Sequence, residues 1–546
     1  MTSVLLAALL AISLSIDPVM SSEAEDASSD PAAQQQARNP KPVPPPHHEV
    51  TVTATRTPTE IRQLGRSVTV ISADEIESRG LRNVKEVLET VPGISVVSAG
   101  SFGGQTSVFV RGGESNFNLV MIDGVPVNQP GGEYDFADLS TTNIDRIEIV
   151  KGPSTVLYGA DAAIATINVI TRSGTDADPT GHLQIEGGTF RSYNLSGSVT
   201  GGSDRFQYSL GALRSDTDGI HDFNSQYDRT DLSGKFSFKA AAGSTISGLV
   251  RYIDSRQHYP TDDSGAIVDP NDYRETAQST YSVWYDRAIA NRYGTRFQYG
   301  YHYYDSTSYT VEDNVTDFFT GSFETENSRH FVDWQNNIAL GENNLVTAGL
   351  SFKKEQSLTA DLDRRSIGFF AQDQFSVSER VFVTAGVRHD NNNRFSNFTT
   401  GSLDTAILLT DQWKLRGSIA NGFRAPDFGE IIGFPEFGIN GNSNLKPEKN
   451  ISSDLGVDFF HAGGRLRLTG TFFYNQFSDL IEFTFLTAPG EPNFINVERA
   501  RSAGTEIEVA YNLTATLWTG FNHTYTSTRV TDAGTVPGGN FVEGDR

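Results

Sequence analysis

The stretch Asp138–Arg172, DLSTTNIDRIEIVKGPSTVLYGADAAIATINVITR, decides how the rest of the chain is read. Its first half sets Ile147 and Ile149 against Arg146, Glu148 and Lys151, the pattern of a half-buried strand. Gly152-Pro153 then breaks the chain. The second half passes through the small residues between Tyr158 and Ala163 into the apolar run Ile164 to Thr171, with side chains slim enough for two backbones to pack closely. Upstream of this stretch helix and strand patterns are mixed; downstream the pattern is strand throughout. The stretch reads as a seam between two domains.

The whole chain has 546 residues, room for two or three ordinary domains or for one very large barrel with something inside it. High aromatic and glycine content favours the barrel. No apolar run reaches the roughly 18 residues that a membrane helix needs, which excludes a helical membrane protein. A formal charge of -24 leaves no basic stripe for phosphates, so nucleic acid is not a partner. A soluble acidic protein is the alternative at this point. Val4 to Ile16 forms an apolar core of signal-peptide length, with small residues around Ser21 and Ser22 for cleavage. No Lys or Arg precedes that core, and a misannotated start is the other reading. The absence of cysteine fits an exported protein without disulfides.

From Glu23 to His48 the chain is acidic, then Gln-rich, and ends in NPKPVPPPHH. Such a segment favours extended polyproline geometry, buries no core and reads as a tether. Glu49-Val50-Thr51-Val52-Thr53-Ala54 is a short alternating strand directly after it. Its unpaired backbone groups are available to a partner strand, unless it is simply the first strand of the next domain.

Residues 56–175 read as a compact α+β domain. Val68 to Ile71 forms a strand, and Ser72 caps a helix with Glu75 at the capping-box spacing. Gly80 ends that helix. Val84, Val87, Leu88 and Val91 share one face of a second, stopped by Pro92-Gly93. Ile94 to Val97 and Val108 to Arg111 read as strands, and Leu119 to Ile122 pairs with Val125 to Val127 as a hairpin around Asp123-Gly124.

From Gly181 to Arg546 roughly eighteen segments alternate as an up-and-down transmembrane barrel requires. Leu466, Leu468, Gly470, Phe472 and Tyr474 fall on one face, and Arg465, Arg467, Thr469 and Thr471 on the other. Ile507, Val509, Tyr511 and Leu513 oppose Glu506, Glu508 and Asn512 in the same way. One face suits lipid and the other a wet lumen. Soluble β-sandwiches also alternate, but not through so many consecutive long hairpins.

Several of these segments resemble the TonB-dependent outer-membrane receptors, over nearly everything after His48. Glu49 to Ala54 resembles the TonB box. Val108-Phe109-Val110-Arg111-Gly112 and Val120 to Pro126 resemble the plug signatures, and Ile147 to Thr171 resembles the plug's end. Gly422-Phe423-Arg424-Ala425-Pro426 and Asn444-Leu445-Lys446-Pro447-Glu448 resemble motifs late in such barrels. Ile164-Ala165-Thr166 stands where the family usually has a glycine pair. The resemblance implies an α+β plug inside an antiparallel β-barrel of about 22 strands. The roughly eighteen strands found here, and the ending Gly544-Asp545-Arg546 without an aromatic strand, make the chain read as C-terminally truncated.

The implied activity is energised uptake of a scarce nutrient across the outer membrane of a Gram-negative bacterium. A TonB strand would pair with Glu49, Val50, Thr51, Val52, Thr53 and Ala54 and pull the plug aside. No HExxH, P-loop or nucleophile constellation is present, so the chain is not expected to be an enzyme. A plug of this size also argues against an open porin or an outer-membrane hydrolase. The compact cobalamin receptors are the branch most resembled, because the loops are short; a ferric-siderophore receptor is the alternative. Gln105, Thr106 and Ser107, with Ser101, and Glu133 and Tyr134 occupy positions resembling the plug loops that touch cobalamin. Asp216, Asp218, Asp222, Asp228 and Asp231 are closely spaced carboxylates in an apparent extracellular loop, where a Ca²⁺ ion would find oxygen ligands. No other cofactor is expected.

Overall fold

A computed structural model of the protein describes residues 51–52, 55–262, 265–289, 292–313, 320–461, 465–485, 490–514 and 517–532. The leader and tether up to His48 lie outside these residues, as do Glu49, Val50, Thr53 and Ala54 of the expected box.

The seam stretch supplies the middle of a five-stranded sheet. Its strands run Ser67–Ser72, Ile144–Lys151, Ala165–Thr171, Asn118–Ile122 and Val125–Pro126 in spatial order. Asn118–Ile122 and Ala165–Thr171 are parallel, and the other pairs antiparallel. The alternation at Ile147 and Ile149 suggests a half-buried strand, and the structure corrects this. Glu148 and Lys151 are buried too, because Lys151 meets a second polar wall: its Nζ lies 3.0 Å from Glu506 in the barrel.

Local signals set the helices. Ser72 accepts a hydrogen bond from Glu75 N at 3.3 Å, and Gly80 closes the helix Ala73–Arg79 with φ +65. The next helix, Val84–Leu88, buries Val84, Val87 and Leu88 fully. These three pack with Val108, Val110, Val120, Ile147 and Ile167 into one core. Each buried aliphatic of this kind contributes about 1.5–3 kcal/mol. The tight hairpin is present as expected, with φ +47 at Asp123 and +82 at Gly124, the pair of positive angles that this turn demands.

Seventeen antiparallel strands follow among the described residues, from Thr180–Gly187 to Trp518–Asp532. These two are the outermost, and among the described residues each is paired on one side only. Side-chain alternation is as expected: in Leu466–Phe483, Phe472 is 51% exposed and Phe473 0%. Short turns such as 242–243 and 379–380 gather at one end of the strands, and longer connections such as 259–272 and 425–447 at the other.

The plug is fastened to lumen-facing strands all around. Arg66 meets Asp404 at 2.5 Å, Arg111 meets Asp454 and Glu506 at 2.8 Å, and Asp123 meets Lys235 at 2.9 Å. The two late motifs read from the sequence turn out to be partners. Arg424 faces Glu448 across neighbouring strands and binds its carboxylate. Gly422 lets the wall approach the seam itself, since a Cβ there would lie 2.9 Å from Ala163 Cα.

Candidate functional site

At the long-loop end, the plug's upper surface and the wall enclose a cavity of about 250 Å³. The hairpin Ile94–Ser98 and Thr106–Val110 delivers Gln105 and Ser107, and the loop after Val127 delivers Gln129, Glu133, Tyr134 and Asp135. The wall contributes Arg274, Tyr304, Ser306, Ser308, Phe323 and Thr325. Gln105, Ser107, Glu133 and Tyr134 are thus brought together around one cavity. Thr106 and Ser101 do not line the cavity. Thr106 is fully buried and works behind it, its backbone N–H donating to Asp135 Oδ1 at 2.9 Å.

The sequence alone does not single out the wall residues. Tyr304, Ser306 and Ser308 alternate correctly for one face, but alternation alone does not tell how high on the wall they meet the plug.

Charge in this cavity is nearly balanced. Among the described residues its one lining cation, Arg274, donates to Asp135 Oδ2 and to Gly103 O, both at 3.2 Å. Burial pushes the Glu133 carboxyl up from its ordinary range, against the pull of Arg424. Tyr134 packs edge-on to Phe136 with ring centroids 4.9 Å apart. What remains is hydroxyl and carboxamide beside the ring of Phe323, a lining suited to neutral polar groups.

The ligand-side loop is held from the barrel. Arg424 donates through Nη1 to Gly131 O at 3.0 Å and through Nη2 to Glu430 at 2.8 Å. Asp427 caps the short helix Phe428–Ile432, its side chain accepting from Gly429 N. Burial first, then the Glu430 and Glu133 carboxylates, push the Asp427 carboxyl from its ordinary 3.8 up to about 7. The folded loop therefore keeps a proton that the unfolded chain has lost. Its stabilisation is complete below about pH 4 and is lost as pH rises through about 7. Asp427→Asn retains a capping oxygen and should flatten that dependence when hydrogen exchange of residues 427–432 is followed across this range. An unchanged slope would assign the titration elsewhere.

At the opposite end, Thr51–Val52 pairs with Thr59–Glu60. The expected free strand is thus already matched along one edge. The segment that follows is bound tightly to the wall. Arg56 donates to both oxygens of Asp333 at 2.7 and 2.6 Å, and its guanidinium lies between the rings of Tyr158 and Phe370, at 4.8 and 4.7 Å. Gln335 donates to Arg56 O, and Gln374 to Thr57 Oγ1.

Of the five aspartates expected to surround calcium, four are spread over separate partners. Among the described residues no three acidic, histidine or cysteine groups gather as a metal site. Asp218 is taken by Arg191, and Asp228 lies 2.9 Å from Arg214, with Asp216 3.6 Å from the same guanidinium. Asp231 faces the lumen, where Arg251 and the plug's Ser140 hold it at 2.5 Å. Asp222 joins none of these pairs. Strand alternation parts only Asp231 from Asp228; Asp216 and Asp228 are register partners that share Arg214, and Asp218 and Asp222 lie in the connection between the two strands.

Comparison with known proteins matches the same two parts. The TonB-dependent receptor plug domain matches residues 60–166, and the TonB-dependent receptor-like β-barrel matches residues 164–546. The vitamin B12 transporter BtuB of Photobacterium profundum is 27% identical over 476 residues, 84% of this chain and 75% of that protein. BtuB of Vibrio vulnificus is 27% identical over 432 residues, 74% and 67% of the two chains. Among solved structures, a variant of the ferric enterobactin receptor PfeA from Pseudomonas aeruginosa superposes with a TM-score of 0.73 at 19% identity, covering 84% of this chain and 80% of that one. The siderophore receptor PirA from Acinetobacter baumannii gives 0.68 at 18% identity, with the same coverages. Those structures share the fold. The chain belongs to the TonB-dependent receptors, plugged β-barrel transporters of small molecules in the Gram-negative outer membrane, and is not an enzyme.

Proposed function

We propose that this receptor takes up a cobalamin-type corrinoid, drawing energy from TonB through the strand Glu49–Ala54. One observation carries the choice of ligand: the only cation lining the cavity among the described residues, Arg274, is already neutralised by Asp135, and Glu133 adds a carboxyl. A ferric catecholate siderophore is multiply anionic and would enter such a lining at an electrostatic cost. A corrinoid presents a fringe of carboxamides, which the Gln105, Gln129, Ser107 and Ser306 side chains can satisfy. The two BtuB relatives support the same ligand.

Calorimetric titration of the chain in detergent with cyanocobalamin and with ferric enterobactin tests this directly. Binding of the ferric catecholate alone would end the corrinoid reading. Removing one neutral hydrogen bond costs about 0.5–1.5 kcal/mol, so Gln105→Ala should weaken cyanocobalamin roughly twofold to thirteenfold.

The role of TonB rests on the box strand. A proline has no backbone donor and a fixed φ, so Val52→Pro should stop a partner strand from pairing there. Titration with cyanocobalamin should be unaffected while energised uptake is lost; undiminished uptake would remove the box from the mechanism.

A further inference from the structure

Asp161 is a buried carboxylate that neither the cavity nor the box accounts for. It is fully buried, in a turn closed by Ser154 N donating to Ala162 O, and has φ +79. Its Oδ2 accepts from Lys353 Nζ at 3.1 Å and lies 3.7 Å from Arg329 Nη2. Its Oδ1 has no partner among the described residues. Glu355 draws on the same two cations, at 2.5 Å from Arg329 and 3.4 Å from Lys353, and also holds Arg364 at 2.8 Å. Arg329 in turn keeps Nε and Nη1 without partners among them. A buried acceptor and two buried donors are therefore unsatisfied within one small cluster. Closing the 3.7 Å gap between Arg329 and Asp161 would give some of these atoms partners.

This cluster touches the cavity residue Gln129 and shares its turn with Tyr158. Arg329 Nη2 donates to Gln129 O at 3.4 Å, and Asn327 Nδ2 to Gln129 Oε1 at 3.3 Å, while Gln129 lines the ligand cavity. In the other direction, the turn that ends at Asp161 carries Tyr158, whose ring lies against the Arg56 guanidinium. Arg56 is four residues beyond Val52 and grips Asp333.

We propose that Asp161 is a positioning residue for transport: occupancy of the cavity, felt at Gln129, moves Arg329 onto Asp161, and the turn passes that movement through Tyr158 to Arg56. The inference rests on the reading of the cavity as the ligand site. Its physical content is a pair with two arrangements that both ends bias, which is what coupling between distant sites requires.

The chain has no cysteine, so Val52→Cys carries a single spin label, and the full chain can be read in outer-membrane vesicles. Without ligand, Asp161→Asn should raise the mobile fraction of the label at least about threefold, because the turn loosens its hold on Arg56. An unchanged basal fraction overturns the proposal whatever the ligand is. With saturating cyanocobalamin, Asp161→Asn should still bind the vitamin while its further change in mobility shrinks at least about fivefold relative to the parent. A full response in the variant also overturns it. Failure of the parent to bind cyanocobalamin counts against the corrinoid reading alone, and the ligand-free comparison still decides on Asp161. Should Asp161→Asn fail to assemble, Arg329→Gln, which leaves Lys353 to balance the carboxylate, is read in its place with the same expected rise.

Discussion

Arg56→Ala should release the segment after the box in the absence of any ligand. Arg56 and Asp333 are 8% and 5% exposed, and two short hydrogen bonds join them. The guanidinium is further enclosed by Tyr158 and Phe370. Removing one partner of a buried ion pair costs about 3–5 kcal/mol, since the other charge stays behind unpaired. That shifts the balance between bound and released segment by more than about a hundredfold. Thr51–Val52 pairs with Thr59–Glu60, and two residues on each side are too few to hold the box once its neighbour lets go. A spin label at position 52 should become predominantly mobile, and limited proteolysis should cut near Thr57. Arg56→Lys keeps the charge but loses the planar guanidinium that lies against Tyr158 and Phe370, so it should fall between the two. A label as immobile in Arg56→Ala as in the parent would show that the segment is held by Gln335 and Gln374 instead.

The parts legible in the sequence were those with local causes. Ser72 with Glu75 and Asp123-Gly124 each settle their backbone within a few residues, and the structure places a cap and a tight turn there, whereas the helix expected to carry Val91 up to Pro92-Gly93 already ends at Leu88. Alternation along Leu466–Phe483 likewise told the two faces apart. What alternation could not tell is what the polar face meets. Arg424 is matched to Gly131, and Arg274 to Asp135, across long separations along the chain. Those pairings depend on where the plug stands against each strand, and no window of sequence contains that information. For the aspartates between positions 216 and 231, sequence spacing likewise does not show the partners: Arg191 takes Asp218, Arg214 lies by both Asp216 and Asp228, and the pleat turns Asp231 to the lumen and Arg251.

The same limit applies to Arg111, which the sequence marked as part of a plug signature without saying why an arginine is needed. Its φ is +53 and its side chain is 1% exposed. The guanidinium donates through Nε and Nη2 to Glu506 at 2.8 and 3.0 Å and through Nη1 to Asp454 at 2.8 Å, over the ring of Phe473. Lys151 supports the same group from the seam, 3.0 Å from Glu506. Arg111→Ala leaves two buried carboxylates facing one lysine, and the docking of plug to wall should weaken by about 3–5 kcal/mol. Membranes carrying this variant should show faster proteolysis of the plug, and the barrel should admit small antibiotics that the parent excludes. Arg111→Lys should give little relief, because one ammonium cannot serve both carboxylates with the fork geometry that a guanidinium offers. The deciding variant removes the charges together. Replacing a buried ionic group as a set is often neutral, so Arg111→Met with Glu506→Gln and Asp454→Asn should recover much of the lost resistance. If the triple variant is as labile as Arg111→Ala, the cost lies in packing around Phe473 rather than in stranded carboxylates. If Arg111→Ala itself resists protease like the parent, the plug is held by its other ion pairs, and Arg66 with Asp404 becomes the pair to remove.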